Sequence, residues 1–268
     1  MAQTFQHLLI IGCGNMGGAM LAGWLAAGVD PARLSVLDPA LAEAPAGVAL
    51  YRAAAEVPGT HDAVLLGFKP QQLGQLGPGL QGLTGAGVTV CSLLAGITLA
   101  QLAAAFPAAS AHVRVMPNLA ARINKSPVIL AQAGLDDAGR AGVFARFDVL
   151  GTAVWLGDEA QFDLVTALAG SGPGFVYRFI NALAGAAADL GLAPDMAASL
   201  ALATVEGAAA LAAASDVGPA TLADRVASPG GMTREGLNVL DEGAALRCLL
   251  TETLAATAAK GAALSKGG

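Results

Sequence analysis

Charged residues are scarce in this chain. Asp, Glu, Lys and Arg make up 13% of its 268 residues, and the formal net charge is −6. No basic cluster stands out, which excludes a nucleic-acid binder, because such binding rests on Lys and Arg contacts to phosphate. Aromatic residues are also few, at 4%, so the core is built from aliphatic and small side chains. The three cysteines, Cys13, Cys91 and Cys248, form no Cys-x-x-Cys pair. An odd, scattered set suits a reducing compartment. The three histidines, His7, His61 and His112, share no metal-ligand spacing, so no metal site is expected. No basic stretch followed by an apolar run precedes residue 30, so no signal peptide is expected. Uninterrupted apolar runs are missing too. A membrane-spanning helix needs roughly 20 predominantly apolar residues. The best candidate, Ala197–Ala214, carries Glu206 in its middle, and Phe179–Leu192 carries Asn181 and Asp189. Both are read as Ala-rich helices of a soluble, cytoplasmic protein with no membrane partner.

What the chain has in quantity is small and apolar residues. Hydrophobic residues reach 55%, there are 35 glycines, and the mean hydropathy is +0.61. The N-terminal half reads as alternating short strands and helices. His7–Ile11 is an apolar run of the kind that forms a buried parallel strand. It leads directly into Gly12-Cys13-Gly14-Asn15-Met16-Gly17, a Gly-x-Gly-x-x-Gly pattern, and a helix is expected over Ala19–Ala27. In a dinucleotide site the first glycine makes the tight turn, the second lets the backbone approach a pyrophosphate, and the third lets helix and strand pack closely. The helix N-terminus then presents free N–H groups to the phosphates. A second strand, Leu34–Leu37, ends at Asp38, 21 residues after Gly17, where an acidic residue meets the adenosine ribose. Further strands are expected at Ala63–Phe68, Val88–Ser92 and His112–Val115, with helices at Gln71–Leu83 and Thr98–Ala105. This alternation implies a doubly wound parallel sheet whose ligand lies at the carboxyl ends of the strands. Lys69-Pro70-Gln71, Ala95-Gly96 and Met116-Pro117-Asn118 leave the strands at those ends.

From about Asp158 strand patterns stop. Helices are expected over Gln161–Ala169, Phe175–Leu190, Pro194–Ala214, Pro219–Ala227, Arg234–Leu240 and Gly243–Leu264. The chain thus divides into a dinucleotide-binding domain, residues 1–157, and an all-helical domain, residues 158–268. Long Ala-rich helices cannot hide their apolar surface in so short a domain, so a homodimer is expected. Two loops stand out, Gly170-Ser171-Gly172-Pro173-Gly174 and Ser228-Pro229-Gly230-Gly231-Met232-Thr233. Each precedes a helix and offers amides and hydroxyls to a carboxylate.

In order and spacing, these motifs resemble the pyrroline-5-carboxylate reductase family over roughly residues 8–264. The residues that carry the likeness are Gly12–Gly17, Lys69-Pro70-Gln71, Met116-Pro117-Asn118, Thr166–Gly174, Ala227–Thr233 and Gly236–Gly243. The resemblance implies a Rossmann-like N-terminal domain and interleaved helical C-terminal domains that dimerise and often assemble into rings. It implies that Gly12–Gly17, the loop Gly67-Phe68-Lys69-Pro70 and the Ala95-Gly96 turn bind NADP or NAD. Pro117 and Asn118 would flank the nicotinamide. It also implies that Ser228, Gly230, Gly231, Met232 and Thr233 grip the substrate carboxylate, with Thr233 nearest the reacting ring and Ser171, Gly172 and Pro173 shaping the far wall. The substrate pocket is expected between domains of different subunits. The family habit is NADPH. Its members usually place Ser, Thr, Asn or Arg where Asp38 stands, and a carboxylate there repels a 2′-phosphate, so NADH stays open. Met232 stands where members often have Thr, and Gly174 where they often have Ala.

The implied reaction passes a hydride to the C=N carbon of a cyclic imine and yields proline. A protonated imine is already electrophilic, which suits a chain with no plausible His or Cys catalytic pair. A β-hydroxyacid dehydrogenase of similar build would need a lysine as proton donor. Gly172–Asn181 holds Arg178 but no Lys, and Val176 stands about where that lysine would fall. An imine reductase with another substrate, and a non-catalytic nucleotide sensor on the same scaffold, stay open. Pattern assigns no role to Ala120–Ser126, where Lys125 is read as a solvated side chain.

Overall fold

The computed structural model describes residues 6–59 and 61–266. Among these, eight strands form one sheet: β1 (Leu8–Ile11), β2 (Leu34–Leu37), β3 (Ala49–Tyr51), β4 (Ala63–Leu66), β5 (Thr89–Ser92), β6 (Ala111–Met116), β7 (Ser126–Ala133) and β8 (Gly151–Trp155). Their order is β3-β2-β1-β4-β5-β6-β7-β8. Neighbours from β3 to β6 are parallel. The chain winds outward in both directions from β1 and β4, which makes the carboxyl ends of these two strands the ligand crevice of such a sheet.

The parallel sheet expected from sequence needs one correction. Strand β7 runs antiparallel to β6, and β8 runs parallel to β7. Residues 117–125 alone link β6 to β7, with a 3₁₀ turn over Leu119–Ile123. A parallel crossover takes a dozen or more residues, so this link can only reverse the chain.

Alternation along β1 divides the core. Leu8 and Ile10 face one layer, with Met20, Trp24 and Phe147, while Leu9 and Ile11 face the other, with Val64, Leu66, Leu102 and Phe106. This is the period-2 geometry of a strand buried on both faces. The first layer uses α1 (Asn15–Ala26) and α4 (Asp137–Asp148), and the second α2 (Leu73–Leu80) and α3 (Leu99–Ala105). Thr98 caps α3 in a capping box with Gln101. The expected helix Gln71–Leu83 is only partly α-helical, with 3₁₀ turns at Pro70–Gln72 and Gln81–Leu83. Trp24 fixes α1 to α4: its indole N–H donates to the Arg146 carbonyl at 2.8 Å, and its ring lies 5.9 Å from that of Phe147.

Residues Ala120–Ser126 have a structural role. The 3₁₀ turn packs on α1. Asn124, in the left-handed region at φ 55°, donates through Nδ2 to the carbonyls of Gly23 and Val149. Lys125 is exposed.

The chain divides into two compact units, Met1–Ser171 with Thr257–Gly268, and Gly172–Ala256. At the end of the first segment, α5 (Phe162–Val165) passes into a π-helical turn over Thr166–Gly170. The second unit is helical: α6 (Gly172–Asp189), α7 (Pro194–Ala214), α8 (Pro219–Val226), α9 (Met232–Asp241) and the first part of α10 (Ala245–Lys266). Helices α6 and α7 pack on one another. Among the described residues, α7 alone is long and apolar enough to cross a membrane by length and composition.

Helix α1 crosses the 3₁₀ turn so closely that a Cβ on Gly23 would collide with the Ala121 carbonyl oxygen, and would stand 2.9 Å from Leu150 Cδ2. Propensity alone favours Gly→Ala in a helix by roughly 1 kcal/mol, but overpacking costs about 1–3 kcal/mol and here meets backbone. Gly23→Ala therefore destabilises the protein by about 1–3 kcal/mol in urea unfolding. Gly18→Ala, whose Cβ would meet only the Cys13 oxygen at 3.7 Å, is neutral or stabilising. Equal midpoints for the two variants would refute this packing account.

Candidate active site

The glycine turn sits where β1, β2 and β4 end. Gly12 N–H donates to the Leu37 carbonyl at 2.9 Å, and Gly67 N–H to the Ile11 carbonyl at 2.7 Å. Gly12 has φ 87°, and a Cβ there would stand 2.8 Å from Phe68 N. A Cβ on Gly17 would stand 2.7 Å from the Gly12 oxygen, and one on Gly67 would collide with that same oxygen. These positions need glycine for close backbone approach. Gly14 differs: a Cβ there would meet nothing within 4 Å. It faces open space at the N-cap of α1, which has no side-chain cap and no acidic residue in its first turn. The first N–H groups of a helix lack intrahelical partners and suit an anion. The donor set and the free room thus fit a pyrophosphate.

A cleft of about 570 Å³ opens here, within the first unit. Its walls bring together Gly12, Gly14, Asp38, Gly67, Phe68 and Lys69 from the expected set. They also include Arg52, Ala53 and Ala54, which follow β3. Strand pairing puts Tyr51 beside Leu37, so the residues after β3 arrive next to Asp38. Neither side chain is idle. Asp38 accepts N–H groups from Cys13, Ala40 and Leu41. Arg52 donates to carbonyls of the 38–42 loop.

The other expected cofactor residues are not among those lining this cleft. Cys13 is buried behind the turn, and Asn15 is exposed at the start of α1, followed by Met16 and Gly17. Pro70 opens a 3₁₀ turn, with Lys69 N–H donating to Gln72 Oε1 at 3.0 Å. Ala95-Gly96 forms a tight turn, with Gly96 at φ 79° and Ile97 N–H donating to the Leu94 carbonyl at 3.2 Å. Pro117 and Asn118 are buried. Asn118 Nδ2 donates to the Ala169 carbonyl at 2.9 Å, and its Oδ1 accepts from Ala120 N–H. Its amide therefore holds β6's exit against the π-helical turn.

The two Gly/Pro loops behave differently. Ser171 N–H donates to the Thr166 carbonyl at 3.0 Å, and α6 begins at Gly172. The expected loop Gly170–Gly174 is therefore reduced to a bend at Ser171 between the π-helical turn and α6: Pro173 fits a first helical turn, where its missing N–H has no partner to lose. The loop before α9 is a turn. Pro229 is followed by Gly230 at φ 70°, and Gly231 N–H donates to the Ser228 carbonyl at 2.9 Å, the pattern of a type II turn. A Cβ on Gly231 would stand 2.5 Å from Ser228 Oγ. Because the Gly231 amide is committed inside the turn, it is not available to a carboxylate as expected. The amides of Met232 and Thr233, at the uncapped start of α9, have no backbone acceptor among the described residues. Arg234 ties the turn to α8, donating to Asp224 Oδ1 at 2.8 Å and the Ala227 carbonyl at 3.3 Å.

Residues 159–264 match the family model "Pyrroline-5-carboxylate reductase dimerisation". Over 240 residues the chain is 35% identical to the pyrroline-5-carboxylate reductase of Pseudomonas aeruginosa, covering 86% of this chain and 87% of that one. It is 34% identical to the Methanosarcina acetivorans enzyme of the same name, covering 88% and 90%. The chain belongs to the pyrroline-5-carboxylate reductase family. Its fold matches the Coxiella burnetii pyrroline-5-carboxylate reductase with a TM-score of 0.90 at 29% identity, covering 97% of this chain and 98% of that one.

In this member of the family the thiol nearest the cleft, Cys13 behind the glycine turn, is not poised to react. Burial, with the Asp38 carboxylate adding to it, pushes the Cys13 thiol up to about 11. Burial pushes Cys91 up further still. A thiolate is the reactive form, so iodoacetamide at pH 8 modifies Cys248, which is exposed, and spares the other two. Because the folded Cys13 value lies above the ordinary 9.0, its neutral form favours folding. That contribution is complete below pH 9 and is lost as pH rises through 11. Mass mapping that found Cys13 alkylated as fast as Cys248 would contradict this burial.

Proposed function

We infer that this protein reduces 1-pyrroline-5-carboxylate to L-proline with NADPH or NADH as reductant. The observation that carries the reading is the uncapped glycine turn with open room at Gly14, in a chain whose curated relatives are reductases of that imine over most of their length. A pyrroline carboxylate reductase of Plasmodium falciparum with the same fold has been solved with NADP bound.

When bound, the reduced nicotinamide supplies the hydride to the imine carbon. The chain's own task is orientation and charge placement. Gly14 and the first amides of α1 hold the pyrophosphate. Lys69, at the exit of β4, adds positive charge on the same wall. Gly67, Phe68, Pro70, Ala95, Gly96, Pro117 and Asn118 shape the remaining path of the dinucleotide. The substrate carboxylate is taken by the Met232 and Thr233 amides and the Thr233 hydroxyl, with Ser228, Gly230 and Gly231 as the turn that aims them. Ser171, Gly172 and Pro173 serve as wall rather than as anion ligands. No side chain need deliver a proton to the ring nitrogen, since the imine arrives protonated there.

The helical region from residue 158 onward is the dimerisation domain, a reading supported by the family match from residue 159. Val176, Tyr177, Phe179, Leu200, Leu202 and Leu211 are exposed on α6 and α7, an apolar surface of the kind that a second copy covers. That role also explains the apolar character of α7 without a membrane. Free cysteines fit a cytoplasmic protein.

Turnover is tested by mixing protein, imine and either reductant and following loss of reduced nicotinamide. No oxidation with either coenzyme would end the reductase reading. Thr233→Ala raises KM for the imine about tenfold, the scale of one hydrogen bond to a charged group; an unchanged KM and kcat would remove Thr233 from the site. Gly14→Val fills the open space yet leaves the fold intact, so it abolishes coenzyme binding while the thermal midpoint holds. Sedimentation gives a dimer or an assembly of dimers; a fully active monomer would contradict the assigned interface.

A further inference from the structure

The adenosine end of the cleft has an arrangement that the spacing of Asp38 alone conceals. Both oxygens of its carboxylate accept main-chain N–H groups: Oδ2 from Cys13 at 2.7 Å, and Oδ1 from Ala40 at 2.8 Å and Leu41 at 3.2 Å. A carboxylate that selects an unmodified ribose does so by accepting from its hydroxyls. This one braces the glycine turn against the 38–42 loop, and three amide dipoles share its charge.

Beside it on the same wall stands Arg52. Its Nη1 donates to the carbonyls of Asp38 at 3.1 Å, Pro39 at 3.5 Å and Leu41, and its Nη2 to Ala42 at 3.0 Å. Among the described residues it forms no ion pair with a carboxylate. Glu56, the nearest acidic residue in sequence, is engaged by the backbone N–H groups of Arg52 and Ala53. A guanidinium has five N–H donors. These contacts leave Nε–H and one Nη2 N–H without a protein acceptor, while the carbonyls hold its plane in place. An oriented, unpaired guanidinium with free donors is what a phosphate binds most strongly, often through two parallel hydrogen bonds.

We propose that Arg52 is the coenzyme-specificity residue: it receives the phosphate on the 2′-oxygen of the adenosine ribose and makes NADPH the preferred reductant. This rests on reading the cleft as the dinucleotide site. It reverses the preference that an acidic residue at the end of β2 suggests, because Asp38 serves the loop and Arg52 serves the ligand. The competing role for Arg52 is that of a clamp on the 38–42 loop alone, which would affect every nucleotide alike.

The test uses calorimetry on the full-length protein with adenosine 2′,5′-bisphosphate and with AMP, which differ only by the 2′-phosphate. The natural protein binds the bisphosphate at least about tenfold more tightly, the scale of charge-assisted hydrogen bonds. Arg52→Ala brings the two affinities within about threefold of each other and leaves that for AMP nearly unchanged. Arg52→Gln is measured alongside, so that a folding defect in one variant leaves the other. The proposal is overturned if the natural protein binds both ligands alike or binds neither. It is equally overturned if the gap survives in both variants, or if both ligands weaken by the same factor. Imine turnover is scored separately. Absence of turnover with the bisphosphate preference intact would sink the reductase reading and leave Arg52 in its role; equal turnover with NADH and NADPH and no gap would sink Arg52 alone.

Discussion

Three backbone segments meet at the sheet's switch point with no room for a side chain between them. The Gly12 oxygen crowds the place that a Cβ on either Gly17 or Gly67 would take, and a Cβ on Gly12 would stand 2.8 Å from Phe68 N. Two hydrogen bonds, Gly12 N–H to Leu37 and Gly67 N–H to Ile11, lock this crossing. Everything at the cleft follows from it. The turn can drop straight from β1 into α1 because Gly12 takes a positive φ, and the α1 N-terminus then faces outward without a cap. A methyl group at any of the three would separate the strand ends, and the amide array would no longer converge on one anion.

The same economy of side chains extends along the cleft. Cys13, Asn15 and Met16 add little reactive chemistry, and the uncharged part of the wall is glycine, alanine, proline and aliphatic carbon with Phe68 and Gln72. Such a site binds by dipoles fixed in the fold, which cost no reorganisation when charge arrives. Full charges enter at Asp38, Arg52 and Lys69. Of these, Asp38 is the single anion, held by the N–H groups around it, against two cations. The balance on the wall is therefore positive, in a chain whose net charge is −6.

Much of this was legible in the sequence, and the failures have identifiable causes. Strands β1, β2, β4 and β5 are buried along their whole length, so each reads as an apolar run bounded by turn residues. The helix expected over Thr98–Ala105 is α3, and the structure adds the capping box of Thr98 with Gln101. Strands β3, β7 and β8 carry no such signal. β3 is three residues long, β7 begins Ser126-Pro127, and β8 alternates between exposed and buried positions, so none presents a clean run. Pro173 among glycines signalled a loop where the backbone is helical, because proline is tolerated in a first turn. Arg52 was hidden for a different reason. It lies 14 residues beyond Asp38 in sequence, and only the parallel pairing of β2 with β3 sets the two side by side.

The helical unit obeys another constraint. Between Gly172 and Ala256 the buried hydrophobic residues are Ala197, Ala201 and Ala227. Three methyl groups bury far too little area to offset the conformational entropy of ordering such a segment, at roughly 25 cal/mol per Å² against 1–2 kcal/mol per residue. Its long helices instead carry their Leu, Val, Phe and Tyr side chains outward. A unit of this kind gains its stability from what it packs against rather than from an interior of its own. Where the partner is a second copy, stability and protomer concentration become inseparable. The alanine-rich composition then has a physical purpose: small side chains let helices from two copies approach closely, so apolar area is removed from water by association instead of by a larger core.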